Sequence, residues 1–141
     1  MATLPTNVPR PCASGVCDPE RTQGLQAPAP QGGFKLVVLE GPGVFLGAEV
    51  TKQGGSNDLT FVDLSLDGRN VFNISYAAAH NVGFTAINPA GTVLLSTGVV
   101  KNLTLGFPTP LRFERSLVLS VEVKEDNVVQ VLGNVWHGAA N

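Results

Sequence analysis

The sequence has little charge and no long apolar run, and each absence excludes some classes of function. Charged residues make up 14% of its 141 residues and the net charge is −2, whereas ordinary domains are about a quarter charged. Basic residues form no patch and do not alternate with aromatic ones, so we expect no nucleic-acid partner. No apolar run reaches the roughly 18 residues that a membrane span needs, so we expect no membrane partner. The opening MATLPTNVP lacks the basic and apolar regions of a secretory signal.

Motifs for catalysis and metal binding are also missing. The chain contains no nucleophile elbow, no H-E-x-x-H pair, no Walker loop and no dinucleotide fingerprint. Its only histidines, His80 and His137, are far apart in the sequence. Nothing selects two carboxylates across a cleft, so four acidic residues are expected on solvated faces and turns: Asp63, Asp67, Glu122 and Glu125. We therefore predict that the protein is not an enzyme and has no catalytic residue, cofactor or metal site.

The two cysteines, Cys12 and Cys17, are separated by four residues. A zinc site needs four ligands, and no histidine lies near this pair in the sequence. A disulfide closing a short loop and a pair of free thiols both remain open.

The first 33 residues differ in composition from the rest of the chain. They hold six of the ten prolines and no aromatic residue, a composition that cannot bury enough apolar surface to fold alone. Proline lowers the entropy that an extended segment loses when it docks. We predict that residues 1–33 are an extended N-terminal arm that lies on a neighbouring subunit. Its expected interface residues are Leu4, Val8, Pro9, Pro11, Val16 and Leu25.

Residues 34–141 have the pattern of an all-β domain. LTFVDLSL and RSLVLSVEVK alternate in polarity, and Asp67-Gly68 is a strong hairpin signal. About seven to nine strands, spaced about 8 to 12 residues apart, predict a jelly-roll-like β-sandwich or a small barrel. SYAAAHNVG predicts one short helix that begins after Ser75 or Asn73.

Trp136 is the only tryptophan in the chain. It is either the anchor of an interface or a sugar platform, or else an ordinary residue of the last strand.

A compact β domain that follows a proline-rich arm, with segments such as LDGRNVFNISYAAAHNVGFTAINPAG and VVQVLGNVWHG, resembles the head decoration (cement) proteins of tailed bacteriophages. The resemblance is one of layout over the whole chain. It implies a structural virion protein on the capsid exterior, assembled in the host cytoplasm. Its implied partners are the major capsid protein, whose neighbouring subunits it clamps, and copies of itself in a homotrimer. No cofactor is implied.

Two other functions are considered. A carbohydrate- or receptor-binding module of a phage tail or fibre requires exposed aromatic residues along a groove, and the chain has one Trp, one Tyr and seven Phe. A small hydrolase or isomerase requires His80 or His137 within hydrogen-bond reach of a carboxylate in a pocket.

Overall fold

The structure, a computed structural model, describes residues 11–13 and 15–140. Among these residues lie eleven strands and one helix. The strands are β1 (Cys12–Ala13), β2 (Val16–Gln26), β3 (Gly32–Glu40), β4 (Gly43–Gly54), β5 (Thr60–Leu66), β6 (Arg69–Ser75), β7 (Val93–Thr97), β8 (Val100–Leu105), β9 (Leu111–Phe113), β10 (Ser116–Val123) and β11 (Val128–Ala140); the helix is α1 (Tyr76–Asn81). No helix in this part of the chain is long and apolar enough to cross a membrane.

The strands form two antiparallel sheets. In sheet A the order is β1-β2-β11-β4-β8-β7, with β9 paired to the end of β4; in sheet B the order is β3-β10-β5-β6. The four-strand sets β2-β11-β4-β8 and β3-β10-β5-β6 face each other, which is the double Greek-key arrangement of a jelly roll. The predicted all-β sandwich is therefore confirmed.

Period-2 alternation places the core between the sheets. Along β5 the residues are alternately buried and half-buried, so Thr60, Val62, Leu64 and Leu66 face inward as their spacing predicts. On β10 the inward residues include Leu117, which is fully buried. One large apolar cluster fills the space between the sheets.

The hairpin and the helix begin and end where turn chemistry predicts. Asp67 and Gly68 both have positive φ, of 53° and 77°, as a two-residue turn requires. Helix α1 follows Ser75, whose hydroxyl accepts a hydrogen bond from the Ala78 backbone N–H at 3.0 Å. Gly83 has a φ of 88° just after the helix.

The structure corrects the predicted division at residue 33. Val16–Gln26 is not part of a separate arm, because it pairs with β11 from Val16 opposite Ala140 to Gln26 opposite Val131. The first described segment thus belongs to the same domain as residues 34–140. Residues 1–10, the remainder of the predicted arm, lie outside the described residues.

The proline content of β2 is compatible with its place in the sheet. Opposite β11, Pro19 falls where the register shifts between His137 and Ala139. On its other side β2 is paired only to the two-residue β1. A proline at such a bulge or free edge removes no ladder hydrogen bond.

Candidate docking surface

The outer face of sheet A, the sheet with more strands, is almost free of charge. The residues that alternate with the buried core positions of β2, β11, β4, β8 and β7 form this face. They are Arg21, Gln23, Leu25, Gly47, Glu49, Thr51, Gln53, Val93, Leu95, Thr97, Val100, Asn102, Thr104, Gln130, Leu132, Asn134 and Trp136. We call this set the sheet A outer face; its charged members are Arg21 and Glu49.

The Glu49 carboxylate accepts hydrogen bonds from two asparagine side chains. Its Oε2 accepts a bond from Asn102 Nδ2 and its Oε1 accepts one from Asn134 Nδ2, both at 3.1 Å. The strand register places these residues side by side. Glu49 on β4 is directly opposite Asn134 on β11, and Asn102 on β8 is opposite Thr51, two residues along β4 from Glu49. The carboxylate is therefore held in place over the middle of the sheet, where it is half-buried.

The same two asparagines carry unused acceptors. Asn102 Oδ1 and Asn134 Oδ1 are buried and have no hydrogen-bond partner among the described residues. A buried amide oxygen without a donor costs about 1–3 kcal/mol. Such atoms are rare in native structures, and here both belong to the centre of one face.

Apolar side chains stand around this polar centre. Leu25 is 57% exposed, Leu95 is 58% exposed and Trp136 is 39% exposed. Arg21 is the register partner of Trp136. The combination of one aromatic residue, one arginine and several aliphatic residues is typical of protein–protein interfaces, and charged residues are depleted at interface centres.

The predicted arm residues have different outcomes. Leu4, Val8 and Pro9 lie outside the described residues. Pro11 is exposed, and Leu25 lies on the sheet A outer face. Val16 is a correction: it is 7% exposed, because it pairs with Ala140 of β11 and its side chain lies against Gly138 of the same domain.

The two cysteines form a disulfide. Of the two alternatives that the sequence left open, the disulfide is therefore observed and the pair of free thiols is not. Cys12 is directly opposite Cys17 in the β1–β2 pair. The bond closes the small β1–β2 hairpin, beside the end of β11.

Trp136 lies on the last strand, β11, and its side chain is 39% exposed. It is therefore both a strand residue and an exposed aromatic group that a partner could contact.

A second feature is a cluster of buried charges between the sheets. Lys52 on β4 and Glu125 in the β10–β11 turn both have side chains with no exposure, and Lys52 Nζ lies 3.0 Å from Glu125 Oε2. Lys52 also donates to Asp58 Oδ1 at 2.7 Å, and Lys101 donates to Asp58 Oδ2. Two lysines thus oppose two carboxylates.

Glu125 is fully satisfied in this cluster. Its Oε2 also accepts a bond from Thr60 Oγ1 at 2.6 Å, and its Oε1 accepts bonds from the backbone N–H groups of Asn57 and Asp58. The placement of Glu125 on a solvated turn, as predicted, is therefore wrong, because its carboxylate organises the β4–β5 loop from within.

Hydrogen bonding sets the protonation of both carboxylates. Burial alone would raise the pKa of Glu125, but the bonds from Thr60 and Lys52 outweigh it and the pKa lies below its usual value. In Asp58, burial is likewise outweighed by the bonds from Lys101 and Lys52, so its pKa is also lowered. Both carboxylates are therefore ionised at neutral pH.

The two histidines lie in different surroundings. Nε2 of His137 is hydrogen-bonded to Thr22 Oγ1 at 2.8 Å and lies 3.8 Å from Glu20 Oε1. Burial lowers the pKa of His137, against the opposing effect of Glu20. His80 lines an open pocket of about 560 Å³ together with Asp58, but both oxygens of that carboxylate already accept bonds from lysines.

Across residues 11–13 and 15–140, no three His, Cys, Asp or Glu side chains are grouped closely enough to hold a metal ion.

Three other acidic residues were expected on solvated faces and turns, and each makes local polar contacts. Asp63 accepts bonds from Ser65 and Asn70, Asp67 accepts backbone bonds, and Glu122 pairs loosely with Lys124.

Sequence reasoning did not single out Glu49, Asn102, Asn134 or Lys52. A cross-strand pattern cannot be seen before strand order is known, since the two asparagines are separated by 32 positions and Glu49 lies on a third strand. For Lys52 a signal was present, because it continues the inward alternation of Ala48 and Val50.

No protein-family model matches the chain, and no curated protein sequence matches it significantly.

Proposed function

We propose that this protein is a structural subunit of a larger protein assembly, and specifically a capsid decoration protein that clamps neighbouring capsid subunits on the outside of a virion. The observation that supports the proposal most directly is the sheet A outer face. A broad, nearly uncharged surface with exposed Trp136, Leu25 and Leu95 has the composition of a surface that a protein partner covers.

Contacts between distant segments support the same role. The buried Lys52–Glu125 pair and the bonds that Asp67 accepts from the β9–β10 turn tie together segments far apart in the sequence, and the disulfide Cys12–Cys17 closes a short hairpin. A stabilising subunit contributes by mass action, since each copy that binds only the assembled shell shifts the equilibrium toward it. Jelly rolls serve as viral capsid domains, but also as lectins and cupins, so the fold alone does not select this role.

The carbohydrate-binding alternative has weaker support. Its most suitable site is an open depression of about 340 Å³ on sheet B, lined by Phe34, Phe61, Asp63 and Asn73 among others. The face of the Phe61 ring is partly occupied, because Lys124 Nζ lies 5.1 Å from its centroid. Trp136 lies on the other sheet, so the exposed aromatic residues do not line one groove.

The proposal is tested on particles from the cells that encode the chain. Particles purified on a density gradient are analysed by mass spectrometry and by immunogold labelling with an antibody to this protein. We expect the chain to copurify with the particles in many copies and gold to label their heads. Absence of the chain from purified particles, or label only on tails, would overturn the proposal. Binding to a glycan array by a chain absent from particles would support the carbohydrate alternative.

The contribution of the remaining arm is tested separately. A chain that lacks residues 1–10 keeps every described strand, so we expect it to fold and to bind particles more weakly than the full chain. The control is the melting temperature by circular dichroism, which should be unchanged. Equal retention of both chains on particles would show that residues 1–10 do not contribute to docking.

A further inference from the structure

We infer that the sheet A outer face is occupied by the same face of a second copy of this chain. The inference deepens the proposed structural role and rests on it, because it names the partner of the docking surface as the protein itself. Four observations carry it: the charge pattern of the face, its unused acceptors, its exposed apolar residues and its size.

The charge pattern is self-complementary. Arg21 is at one side of the face, and Glu49 is two strands away and one register row along. When two copies of one face meet about a two-fold axis, each residue contacts a different residue of the partner and the contact occurs twice. Arg21 of each copy then reaches toward Glu49 of the other, and no like charges are brought together.

The unused acceptors identify what the face lacks. Asn102 and Asn134 each use their amide nitrogen on Glu49 and leave their oxygen without a donor among the described residues. Arginine has five N–H donors and no acceptor. Arg21 of a facing copy can therefore donate to the Glu49 carboxylate, since each of its oxygens accepts one bond from these asparagines and has a lone pair to spare.

Exposed apolar residues flank this polar centre. Leu25 on β2 and Trp136 on β11 lie on strands that overlap when Arg21 faces Glu49 of the other copy. The arrangement resembles an interface in which a polar, orienting centre is sealed from water by apolar neighbours.

The size of the contact follows from the charge pairing. When Arg21 of each copy lies on Glu49 of the other, β2, β11 and β4 overlap. Three strands at about 4.8 Å spacing and about seven residues at about 3.3 Å per residue give a footprint of roughly 330 Å². Weak, transient contacts bury less than about 1,200 Å² in total, so the size fits a weak, reversible self-association.

The test uses sedimentation equilibrium of the full chain and of three single variants. Leu25→Ser and Trp136→Ser remove apolar groups from the sheet A outer face, and Val38→Ser is the matched control. Val38 is 57% exposed, as is Leu25, but it lies on sheet B. We expect self-association of the full chain, weakened at least about tenfold by either face variant and unchanged by Val38→Ser. A monomeric full chain, or equal weakening by Val38→Ser, would overturn the inference.

A measurement without substitution guards against variants that misfold. Trp136 is the sole tryptophan, so its fluorescence reports on this face alone. Dilution of the full chain should shift its emission to longer wavelength and increase quenching by acrylamide, in step with dissociation. Emission that stays constant while the oligomer dissociates would place the contact elsewhere and overturn the inference.

The outcome is distinguishable from failure of the proposed function. If Trp136→Ser is monomeric but still copurifies with particles, the self-contact is confirmed and the capsid partner uses another surface. If the full chain self-associates through this face but is absent from all particles, the inference stands and the decoration role fails.

Discussion

Lys52 and Glu125 form an ion pair at 3.0 Å in which neither side chain has any exposure to solvent. The pair joins β4 of sheet A to the turn between the last two strands, and Thr60 of sheet B donates to the same carboxylate. The Lys52 ammonium also lies 5.1 Å from the centroid of the buried Tyr76 ring. One end of the sandwich is thus closed by charge and hydrogen bonds where the apolar core stops.

Replacement of Lys52 by methionine should be strongly destabilising. The variant keeps most of the side-chain volume but leaves the Glu125 carboxylate buried without its cation, which typically costs about 3–5 kcal/mol. Lys101→Met is the matched control, since Lys101 also binds Asp58 but is 27% exposed, and we expect it to cost about 1 kcal/mol or less. Urea denaturation measures both; equal losses would contradict a special role for the buried pair.

The same cluster should make the protein sensitive to acid. The pKa values of Asp58 and Glu125 lie below their ordinary values of 3.8 and 4.5. A carboxylate with a lowered pKa in the folded state stabilises it above the ordinary value, and this stability is lost as pH falls through the lower, folded value. Melting temperatures from about pH 7 to about pH 2 should therefore drop below about pH 4.5.

The double variant Asp58→Asn/Glu125→Gln is the control for that pH dependence. It should be less stable than the original chain at neutral pH, with a shallower decline on acidification. A decline as steep as in the unsubstituted chain would assign the acid sensitivity to other carboxylates.

Gly24 tests whether β2 is an integral strand. A Cβ at Gly24 would overlap the backbone carbonyl of Leu36 on sheet B, whereas a Cβ at Gly33 would meet nothing. We expect Gly24→Ala to cost about 1–3 kcal/mol or more, because the backbones must separate, and Gly33→Ala to cost much less. Thermal denaturation measures both, and a harmless Gly24→Ala would mean that residues 16–26 do not pack as described.

Asp67 should stabilise the contact between its own turn and the β9–β10 turn. Its carboxylate accepts hydrogen bonds from the backbone N–H groups of Glu114, Arg115 and Ser116, and these bonds lower its pKa. Asp67→Ala should lower the melting temperature, both by loss of these bonds and because alanine disfavours the positive φ of the turn. Asp67→Asn should lower it less, since asparagine tolerates that φ and keeps one acceptor. Equal effects would show that the charge alone matters.

Much of the fold could be predicted from local pattern. The β5–β6 hairpin, strand β10 and the Ser75 cap of α1 each depend on neighbouring residues, so the sequence around them is sufficient. The general layout of a jelly-roll-like sandwich followed from the number and spacing of strands.

Strand β2 could not be predicted in this way, for two physical reasons. Its inward positions are Thr22 and Gly24, because the chain passes too close to Leu36 for large side chains, so the apolar alternation of a strand is missing. Its proline is tolerated because of a register shift opposite β11, which the sequence of β2 does not reveal.

The candidate docking surface could be anticipated only in its composition. An interface anchor was one of the roles considered for Trp136, and this residue lies on the face. The Glu49–Asn102–Asn134 arrangement needed the strand order, because it is assembled from three strands that are not consecutive in the sequence.

Sheet A pairs the first long strand of the chain with the last, since β2 lies against β11 along nearly its whole length. During synthesis β2 emerges long before β11, its partner. Pairing over so long a sequence separation slows folding, and the waiting strand exposes an edge that favours aggregation. The sandwich is therefore complete only when residues 128–140 have been made, and a chain that stops before them leaves β2 paired only to β1.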